Sequence, residues 1–150
     1  SIGVRELSAQ KAIENMKLDA KVVLEPTFLL TKKEWNNIAS DSIKENGYLL
    51  LYILGRDKTL IQYAEKIAKK RNLKIVKVGL AFLYSKSINK TFTYATPNEF
   101  LKLFMNADYI ITNSFHGIAF SINFNKQFIA ISPKSYNTRL ISILTLLARP

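Results

Sequence analysis

Cysteine is missing from all 150 residues. Disulfides, zinc–thiolate centres and thiol nucleophiles are excluded together. Histidine occurs once, as His116, so a multi-histidine metal site is excluded as well. No apolar run approaches the roughly 18–20 residues of a membrane-spanning helix, and no secretory signal opens the chain. A cytoplasmic setting is expected. There is no P-loop and no G-x-G-x-x-G, so the nucleoside-triphosphate and dinucleotide motifs are absent. Ser114 lacks the G-x-S-x-G elbow of a serine nucleophile. Acidic residues are scarce in one part of the chain only. Residues 1–65 hold nine Lys/Arg and nine Asp/Glu, whereas residues 66–150 hold thirteen Lys/Arg against Glu99 and Asp108, so the whole +11 lies there. Such a bias is either a solvated lysine-rich surface or a face for phosphates, acidic glycans or anionic lipid.

Apolar residues are plentiful, at 48% with 22% charged, as in an ordinary soluble globule. The chain starts on the apolar stretch Ile2–Val4 and stops just after an apolar helical pattern. Both ends are therefore expected to be cuts through a larger protein. Between them strands alternate with helices. A helical pattern over Leu7–Met16 precedes a short strand, Lys21–Leu24. Thr31-Lys32-Lys33-Glu34 fits a capping box and starts a helix carrying Trp35 and Ile38. Ser40–Gly47 is polar, ends in Asn-Gly and marks the expected domain boundary, dividing 1–45 from 46–150.

Tyr48–Leu54 is continuously apolar, as in a strand covered on both faces. A helix over Lys58–Arg71 follows, with Leu60, Ile61, Ala64, Ile67 and Ala68 on one face. Leu73–Val78 is the next strand, and Gly79–Ala95 gives no pattern. Thr96-Pro97-Asn98-Glu99 combines an N-cap, a proline at the first helical position and a capping glutamate. Phe100, Leu101, Phe104 and Met105 should face inward from its helix. Asp108–Thr112 and Gln127–Ile131 are strands, with a helix over Gly117–Phe124 between them. Thr138–Ala148 is a last helix, apolar around most of its circumference, so self-association or poor solubility of the isolated segment is expected. Short strands separated by helices imply parallel pairing with right-handed crossovers, hence an α/β, doubly wound, Rossmann-like sheet.

Ligands of such sheets bind beyond the carboxyl ends of the strands. That rule selects the loops 55–57, 79–80, 113–117 and 132–135. The richest is Asn113-Ser114-Phe115-His116-Gly117, which carries two hydrogen-bonding side chains and the only imidazole before entering a helix through glycine. A helix N-terminus there favours an anion and would lower the pKa of a nearby histidine. His116 could then be a neutral base or a hydrogen-bond donor; it could equally be a capping or packing residue. Arg56 and Lys134 are phosphate-ligand candidates by position, although each taken singly fits a solvated surface cation.

Residues 106–129, from Asn-Ala-Asp-Tyr-Ile-Ile-Thr through Asn-Ser-Phe-His-Gly to Phe-Asn-Lys-Gln-Phe-Ile, resemble the signature of polysaccharide pyruvyl transferases. In that family a strand N-A-D-x-(I/V)-I-T precedes (D/N)-S-F-H-G, a helix and F-N-K-P-F. Val4-Arg5-Glu6 resembles its S-V-R-E segment, Glu25-Pro26-Thr27 its D-P-T segment and Trp35 the tryptophan beyond. Tyr52-Ile53-Leu54-Gly55 and Asn137-Thr138-Arg139 resemble later segments in family order. Gly3, Glu25 and Gln127 stand where the family often has serine, aspartate and proline, and Ser114 where some branches have arginine.

The resemblance implies a GT-B-like two-domain enzyme with its cleft between Rossmann-like halves. It implies phosphoenolpyruvate as donor, no cofactor, and a saccharide or lipid-linked saccharide of a cell-surface polysaccharide as acceptor, joined as a pyruvate ketal. Arg5 and Arg139 would be anion ligands and His116 the acid/base or phosphate-contacting residue, and the isolated segment would be inactive. Peripheral contact with the inner face of an anionic membrane fits the charge, and a homo-oligomer is compatible with it. A GT-B glycosyltransferase using a nucleotide sugar would share the fold and the basic cleft. A non-catalytic basic module would share the charge. Nucleic acid is not expected, because the lysines around 66–77 lack aromatic interleaving or a recognition motif.

Overall fold

The structure is a computed structural model that describes residues 1–55, 58–80, 84–131 and 141–144. Two parallel sheets organise it. The smaller pairs β1 (Ile2–Val4) with β2 (Ala20–Val22) across helix α1 (Leu7–Asn15). A 3₁₀ turn over Pro26–Phe28 and helix α2 (Lys32–Ile38) then lead to the larger sheet. That sheet is built from β3 (Tyr48–Tyr52), β4 (Lys74–Val78), β5 (Lys90–Phe92), β6 (Tyr109–Thr112) and β7 (Phe128–Ala130). Its order is β5-β4-β3-β6-β7, with every neighbouring pair parallel. The expected parallel pairing of the segments around 48–54 and 73–78 is therefore present.

The central strand explains why the run at 48–54 is apolar without alternation. Tyr48, Leu50, Val76, Val78 and Ile110 face one layer, where they meet α4 (Pro97–Asn106) and α5 (Phe115–Asn123). Leu49, Leu51, Ile75 and Ile111 face the other layer and meet α3 (Lys58–Arg71) through Leu60, Ile61, Ala64 and Ala68. Both faces of β3 are thus desolvated, and Leu49, Leu50 and Leu51 are wholly buried. Tyr48 is equally buried and keeps its hydroxyl satisfied by donating to the Leu103 carbonyl at 2.7 Å. Helix α2 joins the α4–α5 layer: Trp35 meets the Phe120 ring edge-on at 5.4 Å, and the Ser40 amide donates to the Asn98 carbonyl.

Both expected capping boxes form, at Thr31/Glu34 and Thr96/Glu99. Three local expectations differ from the fold. The segment without a pattern contains β5, an edge strand bonded to β4 alone, whose three residues are too few to leave a periodic trace. In α4 the fully buried Leu103 joins the inward set, while Phe100 is only partly covered. Helix α5 starts at Phe115, two residues before Gly117, because the Ser114 hydroxyl accepts from the Gly117 amide and makes Ser114 the N-cap. Residues 141–144 are helical, and Ile143 packs with Ile118 and Ala119; the rest of the expected helix from Thr138 lies outside the described residues.

Candidate functional site

The chain leaves β3 towards β4 and β5 on one side and returns to β6 and β7 on the other, so the direction of winding reverses between β3 and β6. In open α/β sheets this is where ligands bind, beyond the strand carboxyl ends. Asn113 stitches the two strands together at that point. Its Oδ1 accepts from the Leu54 amide at 2.7 Å, and its Nδ2 donates to the Leu54 carbonyl at 2.9 Å. Ser114 is buried, capping α5 with its hydroxyl while its own amide donates to Thr112 Oγ1 at 3.1 Å. Both side chains build the turn. They place His116, two residues beyond Ser114, in the first turn of α5.

Gly117 is required there by contact, not by backbone conformation. A Cβ at this position would lie 2.2 Å from Thr112 Oγ1. The helix therefore starts directly against the end of β6, and the His116 imidazole emerges with half of its surface exposed.

Against it stands Glu25, only 8% exposed. Glu25 Oε2 accepts from Arg5 Nη1 at 2.6 Å, and Oε1 lies 3.9 Å from His116 Nε2, within ion-pair reach but beyond hydrogen-bonding distance. The Arg5 guanidinium in turn lies over the Phe115 ring, 5.4 Å from its centroid. The Glu25 segment is docked on α5 and α2: Asn123 Nδ2 donates to the carbonyls of Thr27 at 2.7 Å and Leu30 at 3.0 Å, and Trp35 Nε1 donates to Thr27 at 3.1 Å. Three segments far apart in sequence thus meet at the N-terminus of α5, where unpaired amides favour an anion.

Beside this cluster is a cavity of about 400 Å³, walled by Val23, Leu24, Phe28 and Ile122, with Arg5 and Glu25 on its lining. A second, of about 540 Å³, lies at the carboxyl ends of β3, β4 and β5, between Tyr52, Gly55, Gly79, Thr93 and Phe100. Gly55 and Gly79 turn the chain there with φ of 81° and 98°, values that favour glycine. Two of the four loops selected from sequence border this space.

Of the sequence-selected residues, the fold brings together Arg5, Asn113, Ser114 and His116. Arg56, Lys134 and Arg139 lie outside the described residues. Glu25 was legible in sequence only as part of a motif with no role; its signal was an acidic residue directly after the expected strand Lys21–Leu24, which in the fold ends at Val22. No group of three His, Asp or Glu side chains that could hold a metal occurs among the described residues. No helix among them is long and apolar enough to cross a membrane.

A doubly wound parallel sheet, with a basic and acidic pair and an imidazole near its switch point, defines an α/β protein of the Rossmann-like kind. The family model of polysaccharide pyruvyl transferases matches residues 1–135, and the chain belongs to that family of transferases. Neither the curated proteins nor the solved structures compared with the chain contain a match.

Proposed function

We propose that this protein transfers pyruvate from phosphoenolpyruvate to two hydroxyls of a saccharide, free or lipid-linked, as a ketal. What supports the reading is the convergence of Arg5, Glu25 and His116 at the N-terminus of α5. The donor carries a carboxylate and a phosphate, and a guanidinium beside free helix amides suits either. Transfer requires a proton at C3 of the enolpyruvyl group, attack of one sugar hydroxyl on C2, departure of phosphate by cleavage of its C2–O bond, and attack of the second hydroxyl on C2. One hydroxyl proton replaces that given to C3, and the other leaves with phosphate. His116 is the group that moves these protons, and Glu25 orients its ring. In the two-domain arrangement residues 1–45 come from one Rossmann-like half and 46–150 from the other, with the cleft between them. Arg139, Lys134 and Arg56 are the further anion ligands of this reading.

The test is phosphate release from phosphoenolpyruvate in the presence of a saccharide acceptor, with UDP- and CDP-sugars as competing donors. His116→Ala should lower kcat by about 10²–10⁴-fold, the usual worth of a general acid/base, with little change in stability, since the ring is half exposed. His116→Asn keeps a hydrogen-bond donor and cannot shuttle a proton. If Asn retains most of the rate, His116 only positions the anion. Turnover of a nucleotide sugar without phosphoenolpyruvate would instead establish the glycosyltransferase reading.

A further inference from the structure

The outward side of α3 has no part in the site. Leu60, Ile61, Ala64 and Ala68 turn one face of this helix to the sheet. Arg71, although exposed, is engaged with the sheet edge, stacking over Tyr109 at 4.5 Å and donating to Gln127 at 3.0 Å. At 100° per residue the opposite face collects Lys58, Lys66, Lys69 and Lys70 in one exposed stripe. None of the four is in an ion pair among the described residues. The helix carries a single acid, Glu65, at the edge of the stripe, and Ser85 Oγ donates to it at 2.7 Å. That bond ties the 84–87 loop to α3 and brings its exposed Lys86 alongside. Two tyrosines frame the lysines: Tyr63 on the helix, 48% exposed, and Tyr84 on the loop, 88% exposed.

We infer that this face docks on a bilayer of anionic lipid. Lysine stems lie along apolar surface with their ammonium groups at the headgroups, and tyrosine is suited to the boundary between apolar and wet layers. Each lysine near an anionic surface strengthens binding about fivefold. A nucleic acid fits less well: the stripe is convex, holds lysine without arginine forks, and its tyrosines flank the cations rather than interleave with them. The proposal is independent of the reaction. Helix α3 lies on the side of the sheet opposite α4 and α5. It runs antiparallel to the strands it links, so a bilayer along it leaves the strand ends that carry His116 uncovered.

Vesicle sedimentation tests this with the whole protein, using phosphatidylcholine alone and phosphatidylcholine with about one-third phosphatidylserine. Binding is expected to the anionic vesicles only, and is expected to be lost near 1 M salt, where the screening length falls to ~3 Å. Lys66→Glu/Lys69→Glu/Lys70→Glu should weaken partitioning at least tenfold with an unchanged circular dichroism spectrum. Tyr84→Ala should weaken it several-fold with charge unaltered; should the triple variant not fold, this variant and the salt dependence decide. Equal partitioning of the folded triple variant would overturn the proposal. So would binding to a random DNA duplex as tight as to anionic vesicles, combined with no effect of Tyr84→Ala.

Discussion

Gly117 fixes how closely a helix can approach the strand before it. A Cβ there would meet Thr112 Oγ1, which already accepts the Ser114 amide, so the hydroxyl cannot simply rotate away. Gly117→Ala is expected to destabilise the fold by about 1–3 kcal/mol, the usual cost of overpacking. Denaturant unfolding checks this, and Thr112→Ala in the same chain should recover part of the loss, since it removes Oγ1 and Cγ2 while leaving the closely placed Cβ. The variant should also displace His116, one residue earlier. Glu25 works at the same scale. Its carboxylate spans Arg5 and His116 from a buried position. Glu25→Gln keeps the volume and a hydrogen-bond acceptor for Arg5 but removes the charge. Within the proposed reaction, kcat should fall while the unfolding midpoint changes little; unchanged kcat would remove Glu25 from the mechanism.

At the scale of elements, the capping boxes are where local sequence sets structure most directly. Each glutamate accepts from the backbone amide and hydroxyl of its threonine. These hydrogen bonds hold Glu34 and Glu99 below the ordinary carboxylate value of 4.5. A carboxyl group with a lowered folded pKa stabilises fully above its unfolded value, and that stabilisation is lost as pH falls through the folded one. Stability measured by urea unfolding should therefore drop as pH falls below about 4.5, and Glu34→Gln/Glu99→Gln should flatten that slope. An identical slope in the variant would mean that the boxes contribute nothing measurable. Thr96→Ala removes the cap of α4 itself and should cost about 1 kcal/mol at neutral pH. Helix α5 follows the same chemistry less visibly: Ser114 caps it without a glutamate partner, so the glycine two residues into the helix looks like its start.

For the whole molecule, burial is uneven. The five-stranded sheet is covered on both faces, whereas β1 and β2 form a two-stranded parallel pair and α1 has no buried residue. Ile2, Leu7, Leu18 and Val22 remain exposed around that pair. Two strands alone are marginal in water. Hydrogen exchange of the 150-residue chain should therefore protect β3 and β6 most and release β1 and β2 first, at a fraction of the global unfolding free energy. Equal protection of both sheets would show that the smaller one is held by more than its own contacts. Arg5 and Glu25 reach the site from this less covered part, so binding of an anion at His116 should raise protection at β1 and β2 as well.

The sequence by itself determined the order of strands and helices, the parallel pairing and the two capping boxes, because apolar runs, periodicity and N-cap chemistry are local properties of the chain. It also placed His116 at a strand–helix turn on the ligand side of the sheet. It left β5 without a trace, since a three-residue edge strand takes its identity from the strand beside it. It set Asn113 and Ser114 beside His116 as hydrogen-bonding side chains of one turn, because polar side chains that close a turn and those that face a ligand look alike in one dimension. Only the tertiary structure shows what those two side chains bond, Asn113 to the Leu54 backbone and Ser114 to the Gly117 amide. It alone brought Glu25 to Arg5 and His116, over 20 residues in one direction and 91 in the other, since a buried carboxylate is held by partners that no local pattern names.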